Sequence, residues 1–568
     1  MTKKYYSPKR KEYTYYLLIC ILLILPHFIL AQTNLNFHNE TPDDSYVHVS
    51  RESMEKGPAY NLRKSEFFTS QVNVDSDGND IIGDAANETS IAIDPTNPNR
   101  IVIGWRQFNT ITSNFRQAGY GYSLDGGLTW TFPGVINPGV FRSDPVLDFD
   151  SEGNFYYNSL KGDFTCDVYK IDDGGIVWGA PVPANGGDKQ WMRLDRTDGV
   201  GAGNIYSNWN QSFTTCDWDF TRSIDGGDSF EECTPVINTP QWGTLAVDAD
   251  GTLYTVGRAN AGLILVKSTT AKDPSLPVAW DFSTPVDLDG NLSGGGAVNP
   301  EGLLGQMWVD VDKSGGSGHG NVYVLASVNR SSNADNGDVM FAKSIDGGET
   351  FSAPKKINTD NGTDNVQWFG TMSVAPNGRI DVVWLDTRDA PEGTNDSRLY
   401  YSFSEDQGNT WSNNEPLSIA FNPNIGYPQQ NKMGDYFDMI SDNDGAHLAW
   451  ANTINGGQDV YYTHISPENV ILSVDDSIEN ISNAVSYPNP FSEETTIAFS
   501  IANEELVTVE VFDILGRSQG IILNEMIFGN YSLNWDGSNG NGLKLSSGIY
   551  FISIKTKSNR SLIRVILQ

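Results

Sequence analysis

Arginine, aspartate, glutamine and tryptophan return at matching places along this chain, each beside a short apolar run. The set comprises Glu88, Trp105-Arg106-Gln107, Arg142 with Asp144, Lys189-Gln190-Trp191, Trp209, Arg258, Trp308, Trp368, Asp386 with Arg388, and Asp435-Tyr436. Such a mixture suits a sugar or an acidic glycan. Aromatic faces such as those of Trp191 and Trp368 stack on C–H surfaces, amides and carboxylates bond hydroxyls, and the forks of Arg106, Arg258 and Arg388 can hold a carboxylate. The alternative is packing: Trp and Gln could recur because they seal one repeat against the next. The arginines resist that reading, since a core position seldom keeps an unpaired charge.

A repeat must bring these residues together, and one is visible. Ser123-Leu-Asp125-Gly-Gly127-Leu-Thr129-Trp130 returns at Ser223 to Phe230, Ser344 to Phe351 and Ser404 to Trp411, with a degenerate copy keeping Asp173, Gly175 and Trp178. Short Ser and Asp side chains can bond the backbone of a tight turn, Gly supplies positive φ, and the aromatic ring returns to a core. A catalytic carboxylate is needed once or twice per site. Asp125, Asp173, Asp225, Asp346 and Asp406 are therefore read as turn braces.

Two apolar runs precede each turn in fixed order, the first traced from "SIAIDP" at 90 to "YFDMISDNDG" at 436, in seven units. Strand, turn, strand, loop, strand, turn, strand is one blade of a β-propeller. The seventh unit shows three strands, and "TSQVNV" at 69–74 is expected to supply its fourth by pairing the two ends of the ring. The fold class expected is all-β: a propeller with seven blades, six as the alternative, followed by a small Ig-like β-sandwich. On this topology the residues of the opening set line the rim around the central channel.

The eight-residue pattern is the Asp box, and the central region resembles the Asp-box (BNR) sialidase-like β-propeller superfamily. The resemblance implies an arginine triad on a substrate carboxylate, supplied by Arg106, Arg258 and Arg388. It further implies a Tyr nucleophile at Tyr436 beside Asp435, and an acid at Asp144. The F/Y-R-I-P motif of those enzymes is reduced to Phe115-Arg-Gln-Ala118, without Ile-Pro. Seven units also exceed their six. The expectation is thus a different glycan-directed enzyme, of the glycosidase or polysaccharide lyase class. A non-catalytic propeller binding glycan or protein at the cell surface is the other reading.

Near Ala484 the composition changes. Tyr487-Pro-Asn-Pro-Phe491, Asp513-Ile-Leu-Gly-Arg517, Trp535-Asp-Gly537 and Gly548-Ile-Tyr-Phe551 resemble the type A sorting domain of the type IX secretion system. The resemblance implies export and release or attachment at the outer surface, with the secretion machinery as a partner. At the other end, Lys3, Lys4, Lys9, Arg10 and Lys11 precede an apolar run from Tyr15 to Leu30, the order of a secretory signal. The organisation expected is a signal peptide at 1–31, a leader at 32–64, the propeller at 65–470, a linker at 471–483 and the sorting domain at 484–568. No later segment is long and apolar enough to span a membrane.

With 37 Lys and Arg against 71 Asp and Glu, the net charge of −34 argues against nucleic acid, which needs positive patches. The partner expected is extracellular carbohydrate or glycoprotein. Beyond the signal lie Cys166, Cys216 and Cys233; a bridge from Cys216 to Cys233 would close a loop around one repeat. No cofactor is required by any motif. "VDSDGNDIIGD" places Asp75, Asp77 and Asp80 in a stretch resembling a calcium loop, so Ca²⁺ is the candidate ion, set against an acidic exposed turn.

Overall fold

The computed structural model describes residues 43–171, 176–468, 481–514, 517–540, 542–556 and 560–568. The signal peptide, most of the linker and the degenerate turn at Asp173 lie outside the described residues.

Seven small antiparallel sheets follow one another between Ala85 and Ile465, each hydrogen-bonded strand to next strand in chain order. Their first strands are Ala85–Ile93, Ser143–Phe149, Trp191–Leu194, Leu245–Val247, Trp308–Val311, Gln367–Val374 and Asp438–Ser441. These lie against one another in cyclic order, the seventh returning to the first, so the sheets surround a common axis. The third sheet has three strands, extended by a bridge between Phe220 and Thr234.

The ring is closed by the chain's two ends. Phe67–Gln71 pairs antiparallel with Asp459–Ile465, from Phe67 opposite Ile465 to Gln71 opposite Tyr461. The closing strand thus begins two residues before the expected stretch, and Asn61–Arg63 adds a further strand outside it.

Second strands such as Ile101–Phe108, IVIGWRQF, are buried at every residue. Both faces are covered by neighbouring sheets, so the run is continuously apolar where a half-exposed strand would alternate.

Each boundary between sheets carries a clasp from a short or charged side chain to the next first strand. Ser90 Oγ accepts the Leu147 N–H at 2.8 Å, Asp148 Oδ2 the Leu194 N–H at 2.8 Å, and Arg193 Nε donates to the Leu245 carbonyl at 3.2 Å. Thr244 Oγ1 accepts the Val309 N–H at 3.1 Å, Asp310 Oδ2 that of Val374 at 2.8 Å and Ser373 Oγ that of Ser441 at 2.9 Å. Asp438 Oδ2 accepts the Ile91 N–H at 3.2 Å and completes the circle. A first strand has no strand partner on its axial side, and these bonds satisfy six N–H groups and the Leu245 carbonyl that would otherwise be buried unpaired.

The repeated eight-residue turns have the expected bracing. Asp125 Oδ1 accepts the Thr129 N–H at 2.9 Å and the Ser123 hydroxyl at 2.8 Å, and Ser123 Oγ accepts the Gly127 N–H at 2.8 Å. Asp225, Asp346 and Asp406 do the same with Ser229, Thr350 and Thr410. Gly127 sits at φ 87°, and a Cβ there would collide with the Tyr462 ring.

Cys216 and Cys233 form a disulfide around the second of these turns, and Cys166 is free and buried. The C-terminal region is a five-stranded antiparallel sheet of Ile481–Tyr487, Thr495–Asp513, Ser518–Trp535, Gly548–Lys555 and Arg560–Leu567. Alternate residues Val507, Val509 and Val511 of its longest strand enter a core with Ile552, Ile554 and Val565.

Candidate functional site

Where the first strands begin, the backbone adopts a left-handed conformation that only glycine takes freely. Glu88 (φ 51°), Asp144 (φ 46°) and Lys189 (φ 56°) occupy equivalent places six residues before the hairpin turn, and Trp242 (φ 59°) and Phe369 (φ 55°) occupy them in the fourth and sixth sheets. Non-glycine residues held so cost about 1–3 kcal/mol each and cluster at functional sites. Here three consecutive sheets use the position for a charged side chain, and the three converge.

Lys189 Nζ lies 2.7 Å from Asp435 Oδ2, 3.3 Å from Asp144 Oδ2 and 3.4 Å from Asp188 Oδ1. Lys432 Nζ approaches Asp435 at 2.8 Å and Glu88 at 3.6 Å. Arg106 Nε reaches Glu88 Oε2 at 3.0 Å and Asn87 Oδ1 at 2.9 Å, while its Nη2 is buried with no hydrogen-bond partner among the described residues. Asp144, Lys189, Lys432, Asp435 and Arg106 line one recess at this mouth of the ring, with Arg116 and Asp43 at its edge. Arg116 Nη1 and Asp43 pair there at 2.6 Å.

The carboxyls are split in proton affinity. Burial pushes Glu88 up to about 8, against the pull of Arg106 and Lys189. Asp144 and Asp435 are equally buried, yet Lys189, with Arg106 for the one and Lys432 for the other, holds both below the usual carboxylate range. Lys189 is pushed well above the usual lysine value, its three aspartates outweighing its burial.

Of the residues expected at the site, Arg106, Asp144 and Asp435 meet here. Asp144 is held in the opposite protonation state from the one a general acid needs. Tyr436 is adjacent but belongs to the core: its ring packs on Trp191, its hydroxyl donates to the Pro145 carbonyl at 2.8 Å, and burial raises its proton affinity well above the usual tyrosine value. A nucleophile needs a free oxygen and a nearby base, and this hydroxyl has neither exposure nor a basic partner.

Trp191 and Trp368 are fully buried, the first against Trp308 and the second against Phe369 with its N–H on Ser397, so neither offers a face to a ligand. The packing alternative is what the tryptophans follow. Arg388 forks onto Asp386 at 2.6 Å and lies over the Tyr400 ring, while Arg258 lies over the Trp242 ring; neither lines the recess. The three arginines therefore do not form a triad.

The calcium-like stretch spends its carboxylates separately. Asp75 Oδ1 braces a turn through the Asp77 and Asn79 N–H groups, while Asp80 is buried and takes the Gln71 amide at 2.7 Å. Among the described residues no group of three or more His, Cys, Asp or Glu is arranged to hold a cation.

Sequence reasoning missed Lys432 and Asp188. Lys432 sits in a loop outside any repeated motif, and only its neighbour Asp435 was marked.

Fold and site together define an all-β protein: a propeller with a charged recess at one mouth of its axis, followed by a five-stranded antiparallel sheet. Residues 485–568 match the family described as the secretion system C-terminal sorting domain. The chain thus carries a type IX secretion sorting tail and is exported to the cell surface. No helix of the described residues is long and apolar enough to cross a membrane.

No curated protein matches the chain. Similar solved structures include a protein of unknown function from Dyadobacter fermentans, 14% identical with a TM-score of 0.41, covering 71% of this chain and 98% of that one. Another is the GH93 α-L-arabinofuranosidase of Fusarium graminearum in complex with arabinobiose, 13% identical, TM-score 0.35, covering 68% and 94%. A third is PorZ, a surface component of the type IX secretion system of Porphyromonas gingivalis, 14% identical, TM-score 0.31, covering 83% and 68%.

Proposed function

We propose that the propeller is a surface protein directed at extracellular glycans, taking an acidic saccharide in the recess of Arg106, Asp144, Lys189 and Asp435. The observation that carries this reading is the Arg106 guanidinium. It is buried at the recess with one nitrogen unpartnered, and a ligand carboxylate would supply the missing acceptor.

Catalysis of the glycosidase or lyase class is supported by a second feature. Glu88 keeps its proton near neutral pH while Asp144 and Asp435 are ionised, and carboxyls pushed apart in this way can serve as acid and base. Glu88 is completely buried, so it would act by passing its proton to an aspartate at the surface of the recess. The non-catalytic reading is favoured by the pairing of both aspartates with lysines, which leaves them occupied before a substrate arrives.

The test is a panel of uronate-containing and neutral polysaccharides offered to the purified chain, reading binding and product release separately. Binding of acidic polymers that is lost in Arg106→Ala supports the reading. Product release lost in Glu88→Gln and Asp144→Asn, with binding kept, makes it an enzyme. Unchanged binding in Arg106→Ala places the ligand elsewhere.

A further inference from the structure

The first strands all start at the recess and run the same way, so the hairpins that follow them surround the other mouth of the axis. A cavity of about 570 Å³ opens there, lined by residues of all seven sheets. That is within the range of small-molecule sites, roughly 300–1,000 Å³. Its wall is divided. Arg193 and Arg196 of the third sheet and Lys313 beside the fifth stand on one side, while the sixth and seventh sheets contribute Val374, Pro376, Met439 and Ile440 on the other.

The carboxylates beside these cations are already engaged. Asp148 accepts the Leu194 and Phe149 N–H groups and pairs with Arg196, and Asp310 accepts those of Val311 and Val374. Asp94 and Asp442, also at the mouth, are held by Arg100 and His447. Lys313 is exposed to the lumen and forms no salt bridge among the described residues. Enclosure in the channel lowers its proton affinity, Asp310 opposing and Arg196 and Arg193 adding to the effect. The lining carries three cations against four aspartates, and Lys313 is the one of these cations outside an ion pair among the described residues.

We propose that this mouth is a second binding site, for an amphipathic anion. Its carboxylate is held by Lys313 with Arg196 and Arg193, and its apolar body lies on the wall of the sixth and seventh sheets. A charged head alone would leave the apolar wall wet, and an uncharged body would leave Lys313 without a partner, so both parts are required.

The experiment is calorimetric titration of the purified full chain with sodium octanoate, 1-octanol and sodium acetate. Octanoate is expected to bind one to one. Octanol and acetate are expected to bind about tenfold more weakly or less, because each keeps one of the two contributions. Lys313→Met should weaken octanoate about fivefold and Lys313→Arg should restore it, with thermal stability unchanged because the side chain is exposed and unpaired. Absent octanoate binding, octanol binding equally well, or an unchanged Kd in Lys313→Met would each overturn the proposal. Polysaccharide binding at the recess is read independently with Arg106→Ala.

Discussion

Lys189 Nζ stands 2.7 Å from Asp435 Oδ2, so an ammonium at the start of the third sheet is held by a carboxylate just before the seventh. Asp144 of the second sheet and Asp188 share the same ammonium, and Lys432 ties Asp435 to Glu88 of the first. Four sheets are thus joined across the recess by charges that have almost no water to screen them.

Lys189→Met removes the shared cation and leaves three aspartates with too little compensation. Breaking a buried pair from one side costs about 3–5 kcal/mol. Urea unfolding should show a loss of that order, and adding Asp435→Asn should recover part of it. A variant as stable as the parent would mean the pair is not structural.

The recess should make stability pH-dependent through Glu88. Its proton affinity is raised in the folded protein to about 8 from the ordinary 4.5, so between these values the folded state binds more protons and stability falls as pH rises. Asp144 and Asp435 act oppositely: both are lowered, and their contribution is lost only in acid, below the usual carboxylate range. Glu88→Gln should gain on the parent between about pH 5 and pH 8, by up to about 1.4 kcal/mol per unit. Urea midpoints at both pH values check this, and a constant difference would show that Glu88 does not change protonation.

Asp125→Ala removes the acceptor of the Thr129 N–H, the Thr129 hydroxyl and the Ser123 hydroxyl. The loss should be about 1–2 kcal/mol, comparable to losing a helix cap. Saccharide binding should be unaffected, in contrast to Arg106→Ala. If Asp125→Ala abolished binding with the fold intact, its turn would be part of the chemistry.

The Cys216–Cys233 bridge spans 17 residues, and a loop of that size is worth roughly 3 kcal/mol on the chain-entropy account. Double replacement by serine should lower stability by about that much. Reductant should do the same to the parent and nothing to the variant, because Cys166 is buried and unbridged.

The repeat was legible because its physics is local. Asp125 and Thr129 are four residues apart, so their bond is written in the turn and can be recognised wherever the turn recurs. The sorting tail was legible for the same reason, through short motifs. The site was read only in part. Arg106, Asp144 and Asp435 were found from their rank in successive units. Tyr436, the nucleophile that the family resemblance implies, turns its ring into the core against Trp191 although its neighbour Asp435 faces the recess. For Trp191 and Trp368 the sequence left stacking on a ligand and packing between repeats both open, since the cover that decides it comes from sheets distant in sequence.

By itself, then, the sequence determined the strands, their turns and the export of the chain, because each depends on residues within a few positions of one another or on a short motif; the closing strand was anticipated from a missing fourth strand in the last repeat, although its pairing joins the two ends of the ring. Tertiary structure alone decided which charges meet. Glu88, Asp144, Lys189, Lys432 and Asp435 come from opposite ends of the ring, and their proton affinities follow from burial and from neighbours that only ring closure brings within a few ångströms.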